Sequence, residues 1–216
     1  MTKDSVKHYS HGEEIASSIT HGIGAGLGLT ALAFLVSLAA DTGDPWKVVS
    51  FSIYGVTLVI LYLSSTLYHA FRSPKLKRIF RYLDHSSIYL LIAGTYTPLT
   101  LINLRGGWGW TLFGLIWSLA AAGVIMTAAL MGRSRLLGGL IYIGMGWLVV
   151  VAIKPLVQSV PTGGIYWLVA GGLAYTTGVV FYVWKKLPYN HAVWHLFVLA
   201  GSVCHFIVIY KYVLPA

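Results

Sequence analysis

"IASSITHGIGAGLGLTALAFLVSLAA", residues 15–40, contains no aspartate, glutamate, lysine or arginine. A helix needs about 20 mainly apolar residues to cross the hydrocarbon core of a bilayer, and this stretch is long enough to do so. Similar runs recur along the chain: 57% of its 216 residues are hydrophobic, 10% are charged and the mean hydropathy is +0.75. A soluble domain of this size would carry charges over most of its surface, so the composition predicts a polytopic membrane protein.

The apolar pattern predicts seven membrane spans joined by short loops. Their predicted bounds are 17–40, 47–70, 79–103, 108–131, 136–154, 162–184 and 190–213. We find no internal repeat or linker, and we expect an all-α integral membrane protein, a seven-transmembrane helix bundle with one domain over residues 1–216. The polar tail at 1–16 leads into a full-length span and has no cleavage site after a short apolar core. We therefore expect the first span to act as an uncleaved anchor.

The distribution of lysine and arginine predicts the orientation, because basic residues near span ends stay on the cytoplasmic side. Of the 15 basic residues, four fall on one side of the predicted membrane: Lys47, Arg105, Lys154 and Lys211. The others fall on the opposite side, which places the N-terminus in the cytoplasm and the C-terminus outside. The formal charge of +9 is then explained by topology and anionic lipid, and it does not indicate nucleic-acid binding.

Two histidines interrupt the apolar pattern in "YNHAVWHLF", residues 189–197. Ionisable side chains inside the hydrocarbon are costly, face the bundle interior and mark functional pathways. In the predicted orientation the second span ends near His69 on the cytoplasmic side, where the third and seventh begin near Asp84 and His191. We therefore expect His69, Asp84, His191 and His195 to lie at the same cytoplasmic level.

These three histidines have the residue type and spacing of a zinc site. Side chains at i and i+4 lie about 6 Å apart on one helix face, so two imidazoles there can bind one ion. A catalytic zinc site has three protein ligands and a water, and we expect His69, His191 and His195 to be the ligands of Zn²⁺. We expect catalytic roles for two further residues. Asp84 would orient or deprotonate the water, and Ser65 would hydrogen-bond the water or the substrate. The alternative interpretation is a packing role, since a histidine pair at this spacing is common in helices; the third histidine and the acid at matching depth favour the metal.

Four motifs together resemble a known family. They are "GEEIASSITHGIGAGLG" (12–28), "SSTLYHAF" (64–71), "LDHSSIYLLIAGTYTP" (83–98) and "NHAVWHLFVLAGSVCHF" (190–206). The chain is similar to the bacterial hemolysin III branch of the progestin and adipoQ receptor family over nearly its whole length. A Ser-x-x-x-His ending the second span, an aspartate opening the third and a His-x-x-x-His opening the seventh are specific in this order.

The resemblance implies a zinc ion on the cytoplasmic side at His69, His191 and His195, with Asp84 and Ser65 near the metal water. The chain matches the family at all five positions. It also implies a multi-pass protein of the bacterial inner membrane and kinship with the alkaline ceramidases, which are membrane amidases of similar chemistry.

Three other histidines in the spans have less defined roles. His205 lies about 15 Å beyond His195 along its helix, so we expect it to line a cavity or satisfy a core hydrogen bond and not to share the metal. For His85 we expect a bond to backbone or lipid. His21, preceded by Glu13 and Glu14, is expected either to gate or neutralise the site or to cap the interface.

Three functions remain open. The first is an intramembrane zinc-dependent hydrolase of lipid amides or esters, which would bind membrane lipid as its substrate. The second is a non-catalytic, zinc-stabilised sensor or regulator of membrane lipid state. The third is a pore-forming cytolysin, which the family name suggests; the resident topology without a cleavable signal makes this the least favoured. The sequence predicts no oligomeric state.

Overall fold

A computed structural model describes residues 9–130 and 135–216, and all regular secondary structure in these ranges is helical. The helices are α1 (His11–Asp41), α2 (Pro45–Ala70), α3 (Pro74–Pro98), α4 (Gly107–Leu130), α5 (Arg135–Gly146), α6 (Ile153–Ser159), α7 (Thr162–Val183) and α8 (Asn190–Val208). The π-helical segments Leu99–Asn103 and Ile209–Val213 extend α3 and α8, and the 3₁₀ segment Trp147–Ala152 joins α5 to α6. The prediction of an all-α membrane protein is confirmed.

Six helical segments in the described ranges are long and apolar enough to cross a bilayer. They are His11–Asp41, Pro45–Ala70, Gly107–Ala128, Leu136–Ser159, Thr162–Val183 and Asn190–Val213. Helix α3 is not among them because its first turns carry a cluster of basic residues and its remainder is rich in serine, threonine and tyrosine. The count of seven spans and the orientation of the termini therefore stay predictions. The predicted span end at 131 lies outside the described residues. So do some of the basic residues on which the predicted orientation depends.

The helix ends differ from the predicted spans at some positions and match them at others. Helix α1 begins at His11, six residues before the predicted start, because Ser10 and Glu13 form a reciprocal capping box. The fifth span continues to Ser159, past its predicted end at 154, with a 3₁₀ segment in the middle. The helical run from Asn190 to Val213 coincides with the predicted seventh span.

The helices pack as a ring around an interior that opens between several of them. Helix α1 contacts α2 and α8, α2 contacts α3, α3 contacts α5, and α7 contacts both α5 and α8, which closes the ring. Helix α4 packs mainly against α3. Large buried side chains such as Phe51, Tyr54 and Tyr62 on α2 fill the centre, which makes α2 the most enclosed of the bilayer-length helices. This arrangement brings the end of α2, the start of α8 and the start of α1 to one end of the bundle.

Candidate metal site

Three histidines from two helices meet in the interior of the bundle. His69 lies in the last turn of α2, and His191 and His195 lie in the first two turns of α8. One ring nitrogen of each lies within 4.8 Å of the other two, and the three residues are 4%, 4% and 1% exposed. The structure thus brings together the three side chains that the sequence predicts as metal ligands.

The orientation of His69 is fixed by a hydrogen bond to a carboxylate. Its Nδ1 lies 2.7 Å from Oε2 of Glu14 in the first turn of α1, and Oε1 of Glu14 accepts a 2.6 Å hydrogen bond from Nζ of Lys77. A carboxylate beside an ammonium group is ionised and can only accept, so Nδ1 of His69 carries the proton and donates it. Nε2 of His69 then keeps its lone pair; it is buried and has no hydrogen-bond partner in the part of the chain that the structure describes.

His195 is oriented in the same sense by the backbone. Its Nδ1 lies 3.2 Å from the carbonyl oxygen of Ser17, which can only accept, so Nε2 again carries the lone pair. The ring of His191 stacks on Tyr9, with centroids 5.0 Å apart, and the same tyrosine meets His69 edge-on at 5.7 Å. Tyr9, which precedes α1, and residues in the first two turns of α1 therefore contact all three members of the cluster.

This donor set fits a metal ion. A histidine that ligates a metal almost always donates its other ring N–H to a carboxylate or a carbonyl, and Glu14 and Ser17 supply one of each. Buried polar atoms in proteins nearly always have a partner. Nε2 of His69 is buried and has none among the described residues, so it is available to a ligand. Zinc and several other first-row divalent metals accept imidazole nitrogen, so the donors could hold a metal ion but do not select one metal.

The two predicted catalytic residues lie on the helices that carry or face the cluster. Asp84 on α3 is buried and lines the same cavity as His191 and His195. Its carboxylate oxygens do not belong to the group of mutually close ligand atoms, so Asp84 lies beside the cluster and not within it. Ser65 lies one turn before His69 on α2, is fully buried, and its Oγ has no hydrogen-bond partner among the described residues.

A cavity of ≈ 100 Å³ extends from these residues into the bundle between α1, α2, α3, α5, α7 and α8. Asp84, His191 and His195 line it at the cluster, and most of the remaining wall is apolar, including Leu91 and Val179. The arrangement places imidazole nitrogen atoms and a carboxylate at one end of a largely apolar cavity. A molecule with a polar group attached to an apolar chain matches both parts.

Two of the other histidines in the cavity wall, His85 and His205, form hydrogen bonds with backbone carbonyl groups. Nδ1 of His85 lies 2.9 Å from the carbonyl oxygen of Arg81, as expected for a backbone hydrogen bond, and 3.5 Å from Oδ2 of Asp84. His205 hydrogen-bonds the carbonyl oxygen of Leu168 through Nε2 at 3.3 Å. It lines the cavity, its buried Nδ1 has no hydrogen-bond partner among the described residues, and it is not a member of the group of mutually close histidines.

Sequence reasoning did not assign the contacts at the start of α1. Glu13 and Glu14 are adjacent, yet Glu13 caps the helix and accepts from the backbone N–H of Tyr189 at 3.1 Å, whereas Glu14 contacts His69. The Ser10-x-x-Glu13 spacing was a signal for the cap. With Glu13 assigned to the cap, Glu14 remains as the acid in the first turn of α1 that contacts His69.

Comparisons with known proteins agree with this picture. The model of the haemolysin-III-related family matches residues 9–206. The chain is 52% identical over 203 residues to Hemolysin-3 of Bacillus cereus, covering 94% of this chain and 93% of that one. It is 48% identical over 200 residues to the Hemolysin-3 homolog of Bacillus subtilis (strain 168), covering 93% and 94%. It is 29% identical over 206 residues to the human monocyte to macrophage differentiation factor, covering 93% and 84%.

The match covers all four motifs that carry the resemblance to the hemolysin III branch, so that prediction is confirmed. The bacterial relatives and the six apolar helices of bilayer length also agree with the predicted localisation in a bacterial membrane. The chain belongs to the haemolysin-III-related family and is a multi-pass bacterial membrane protein.

Proposed function

We propose that this protein is an intramembrane zinc-dependent hydrolase of lipid amides or esters. The observation that carries the proposal is the convergence of His69, His191 and His195, buried at the end of a largely apolar cavity whose wall also holds a carboxylate. A structural metal needs no adjoining cavity, whereas a hydrolase needs one for its substrate. Lipid is the substrate class that we propose, because the chain is a multi-pass membrane protein with six helical segments of bilayer length.

Zinc is the ion that we propose for the site. Three neutral imidazoles give the ligand set of a catalytic zinc, in which protein groups leave one position open. A bound zinc ion supplies Lewis-acid polarisation of a carbonyl oxygen and makes water nucleophilic near neutral pH. The chain supplies the holding groups: Glu14 and the Ser17 carbonyl keep His69 and His195 in the tautomer that presents Nε2.

Asp84 and Ser65 are the residues that we propose act on water and substrate. Asp84 would accept a proton from the attacking water and return it to the leaving nitrogen or oxygen, the role of a buried carboxylate beside a metal site. The unpartnered Oγ of Ser65 would donate a hydrogen bond to the carbonyl oxygen of the substrate or to water. Both side chains are buried, so neither role is opposed by bulk solvent.

The variant Asp84→Asn tests this proposal, because it keeps the shape of the side chain and removes its ability to take a proton. We expect detergent-purified Asp84→Asn protein to contain about one zinc per chain, as the wild type does, and to hydrolyse no lipid amide or ester. The His191→Ala, His195→Ala double variant is the companion, since it should contain no metal. Elemental analysis and chromatography of reaction products provide the two measurements. Metal loss in Asp84→Asn would instead make Asp84 a ligand.

A non-catalytic zinc-stabilised regulator is the second candidate, and a specific observation favours it. The cluster joins the last turn of α2 to the first turns of α8, so a bound ion would tie together helices that are far apart in sequence. Under this proposal chelation lowers the unfolding temperature and no lipid in a broad panel is cleaved by the wild type. Under the hydrolase proposal the wild type cleaves at least one lipid class and Asp84→Asn does not.

Lysis is the activity that the name Hemolysin-3 suggests for the Bacillus cereus relative. Applied to this chain it is the least supported candidate, because the buried cluster and the internal cavity have no part in it. Release of a fluorescent dye from vesicles containing the purified protein tests it. Dye release that persists in the His191→Ala, His195→Ala variant would show an activity independent of the histidine cluster.

A further inference from the structure

We infer that Glu14 is a positioning residue of the metal centre: it holds His69 through Nδ1 so that Nε2 faces the ion, and Lys77 in turn holds Glu14. This inference rests on the proposed metal site. It goes beyond that proposal because it assigns a role to residues of α1 and α3, which contribute no metal ligand.

The contact geometry defines a chain of three side chains from three helices. Oε2 of Glu14 lies 2.7 Å from Nδ1 of His69, and Oε1 of the same carboxylate lies 2.6 Å from Nζ of Lys77. The side chain of His69 is fully buried, and those of Glu14 and Lys77 are 16% and 17% exposed. Each carboxylate oxygen therefore has one fixed donor, which leaves little freedom for Glu14 to turn away from the histidine.

Lys77 is itself held by the end of α2. Its Nζ donates a second hydrogen bond to the carbonyl oxygen of Tyr68 at 3.3 Å and lies 5.0 Å from the centroid of the Tyr68 ring. Tyr68 directly precedes His69 in the chain. The ammonium group of Lys77 thus holds Glu14 beside the last turn of α2, which carries His69. Its positive charge also keeps the Glu14 carboxylate ionised.

An ionised carboxylate on Nδ1 has two effects on a histidine ligand. It fixes the tautomer and the ring orientation, and it raises the basicity of Nε2, both of which strengthen metal binding. Removing such a partner typically costs about 10–100-fold in metal affinity. His195 has a neutral carbonyl in the equivalent place, whereas Glu14 gives His69 a charged partner.

Glu13 provides a matched control one residue away. It is in the same helical turn and carries the same charge, but its carboxylate accepts from the backbone N–H groups of Ser10 and Tyr189. The variants Glu13→Gln and Glu14→Gln therefore change net charge and helix dipole interactions equally. Only Glu14→Gln alters the contact with His69.

The experiment measures Co²⁺ affinity and the visible absorption of the Co²⁺ complex in the full-length, detergent-purified protein. Cobalt takes imidazole ligands as zinc does, and its absorption reports the geometry of the ligands, which a merely structural role of Glu14 would not change. We expect about 10–100-fold weaker binding and an altered spectrum for Glu14→Gln. We expect wild-type affinity and spectrum for Glu13→Gln. Thermal unfolding of the metal-free proteins shows whether either variant changes folding.

Two variants of Lys77 complete the test. Lys77→Arg keeps a cation for Glu14 and should bind Co²⁺ as the wild type does, whereas Lys77→Met should weaken binding and shift the spectrum in the direction of Glu14→Gln. Equal affinity and an unchanged spectrum in Glu14→Gln would overturn the inference while leaving the metal site intact. Failure of the wild type to bind Co²⁺ or Zn²⁺ would overturn both the inference and the proposed function.

Discussion

The imidazole rings of His21 and His195 stack face to face, with their centroids 3.5 Å apart and their planes within 11° of parallel. His21 is 3% exposed, and neither of its ring nitrogens has a hydrogen-bond partner among the described residues. Its ring is perpendicular to the ring of Tyr62, with the two centroids 5.0 Å apart. His21 therefore supports a proposed metal ligand through ring contact, and the structure favours neither of its two predicted roles at the membrane interface.

Replacement of His21 by phenylalanine keeps a flat ring against His195 and removes two buried polar atoms without partners. We expect His21→Phe to contain metal at the wild-type ratio and to unfold at the same or a higher temperature, because a buried unpaired polar group costs about 1–3 kcal/mol. His21→Ala, which removes the ring, should unfold at a lower temperature. Elemental analysis and thermal unfolding in detergent provide the data. Metal loss in His21→Phe would identify His21 as a ligand.

The fold was predictable from sequence where apolar runs end at strong punctuation. The seventh span begins at Asn190 after a basic, proline-containing loop, and its predicted bounds coincide with the helical run. The start of α1 was missed because Glu13 and Glu14 looked like part of a solvated tail, although one caps the helix and the other contacts His69. The 3₁₀ segment Trp147–Ala152 lies within a continuous apolar run, and hydropathy does not distinguish one helix type from another.

The histidine cluster was predictable because span direction and helical spacing are both properties of sequence. His191 and His195 share a face by their spacing, and His69 ends a span that runs toward the same side. The contact between Glu14 and His69 was not predictable in this way, since it joins residues 55 positions apart and depends on how α1 is rotated against α2. The rotation of one helix against another is set by side-chain packing. Residue spacing and hydropathy along one sequence do not reveal that packing.

Close approach of α2 to its neighbours depends on two glycines. A Cβ added at Gly55 would lie 2.9 Å from Cα of Leu32 on α1, and one added at Gly94 on α3 would overlap the side chain of Thr57. We expect Gly55→Ala and Gly94→Ala each to destabilise the fold by about 1–3 kcal/mol, since overpacking moves backbone and side chains. A fall in the unfolding temperature of the detergent-purified protein measures this effect.

Gly26 on α1 is the control for this prediction, because a Cβ there would meet no atom within 4 Å. Gly26→Ala should unfold at the wild-type temperature or above it, since alanine is more favourable than glycine inside a helix by about 1 kcal/mol. If all three alanine variants behaved alike, the helices would not be as close at Gly55 and Gly94 as the structure has them.

Ser65→Ala separates a catalytic role from a structural one. The Oγ of Ser65 is buried without a partner among the described residues, so its removal breaks no hydrogen bond that the structure records. We expect the free energy of unfolding to stay the same or to rise by up to about 1–3 kcal/mol, because a buried hydroxyl without a partner is costly, and we expect unchanged metal content. Under the proposed function, lipid hydrolysis should fall by more than about tenfold, the loss expected when a hydrogen bond of about 1.4 kcal/mol to the transition state is removed. Full hydrolytic activity would show that Ser65 has no role in the reaction.

Helix α3 decides whether the chain has six or seven spans, and reporter fusions at its two ends measure this directly. Its first turns carry a cluster of basic residues, and its buried side is lined by hydroxyl side chains that face other helices and not lipid. Such a helix can cross a bilayer inside a bundle although its mean hydropathy is low. We expect green fluorescent protein to fluoresce when fused after Ser73 and alkaline phosphatase to be active when fused after Gly106, because the first reporter works in the cytoplasm and the second outside. Fluorescence at both positions would show that α3 returns to the side from which it starts. The chain would then have six spans, with its two termini on the same side of the membrane.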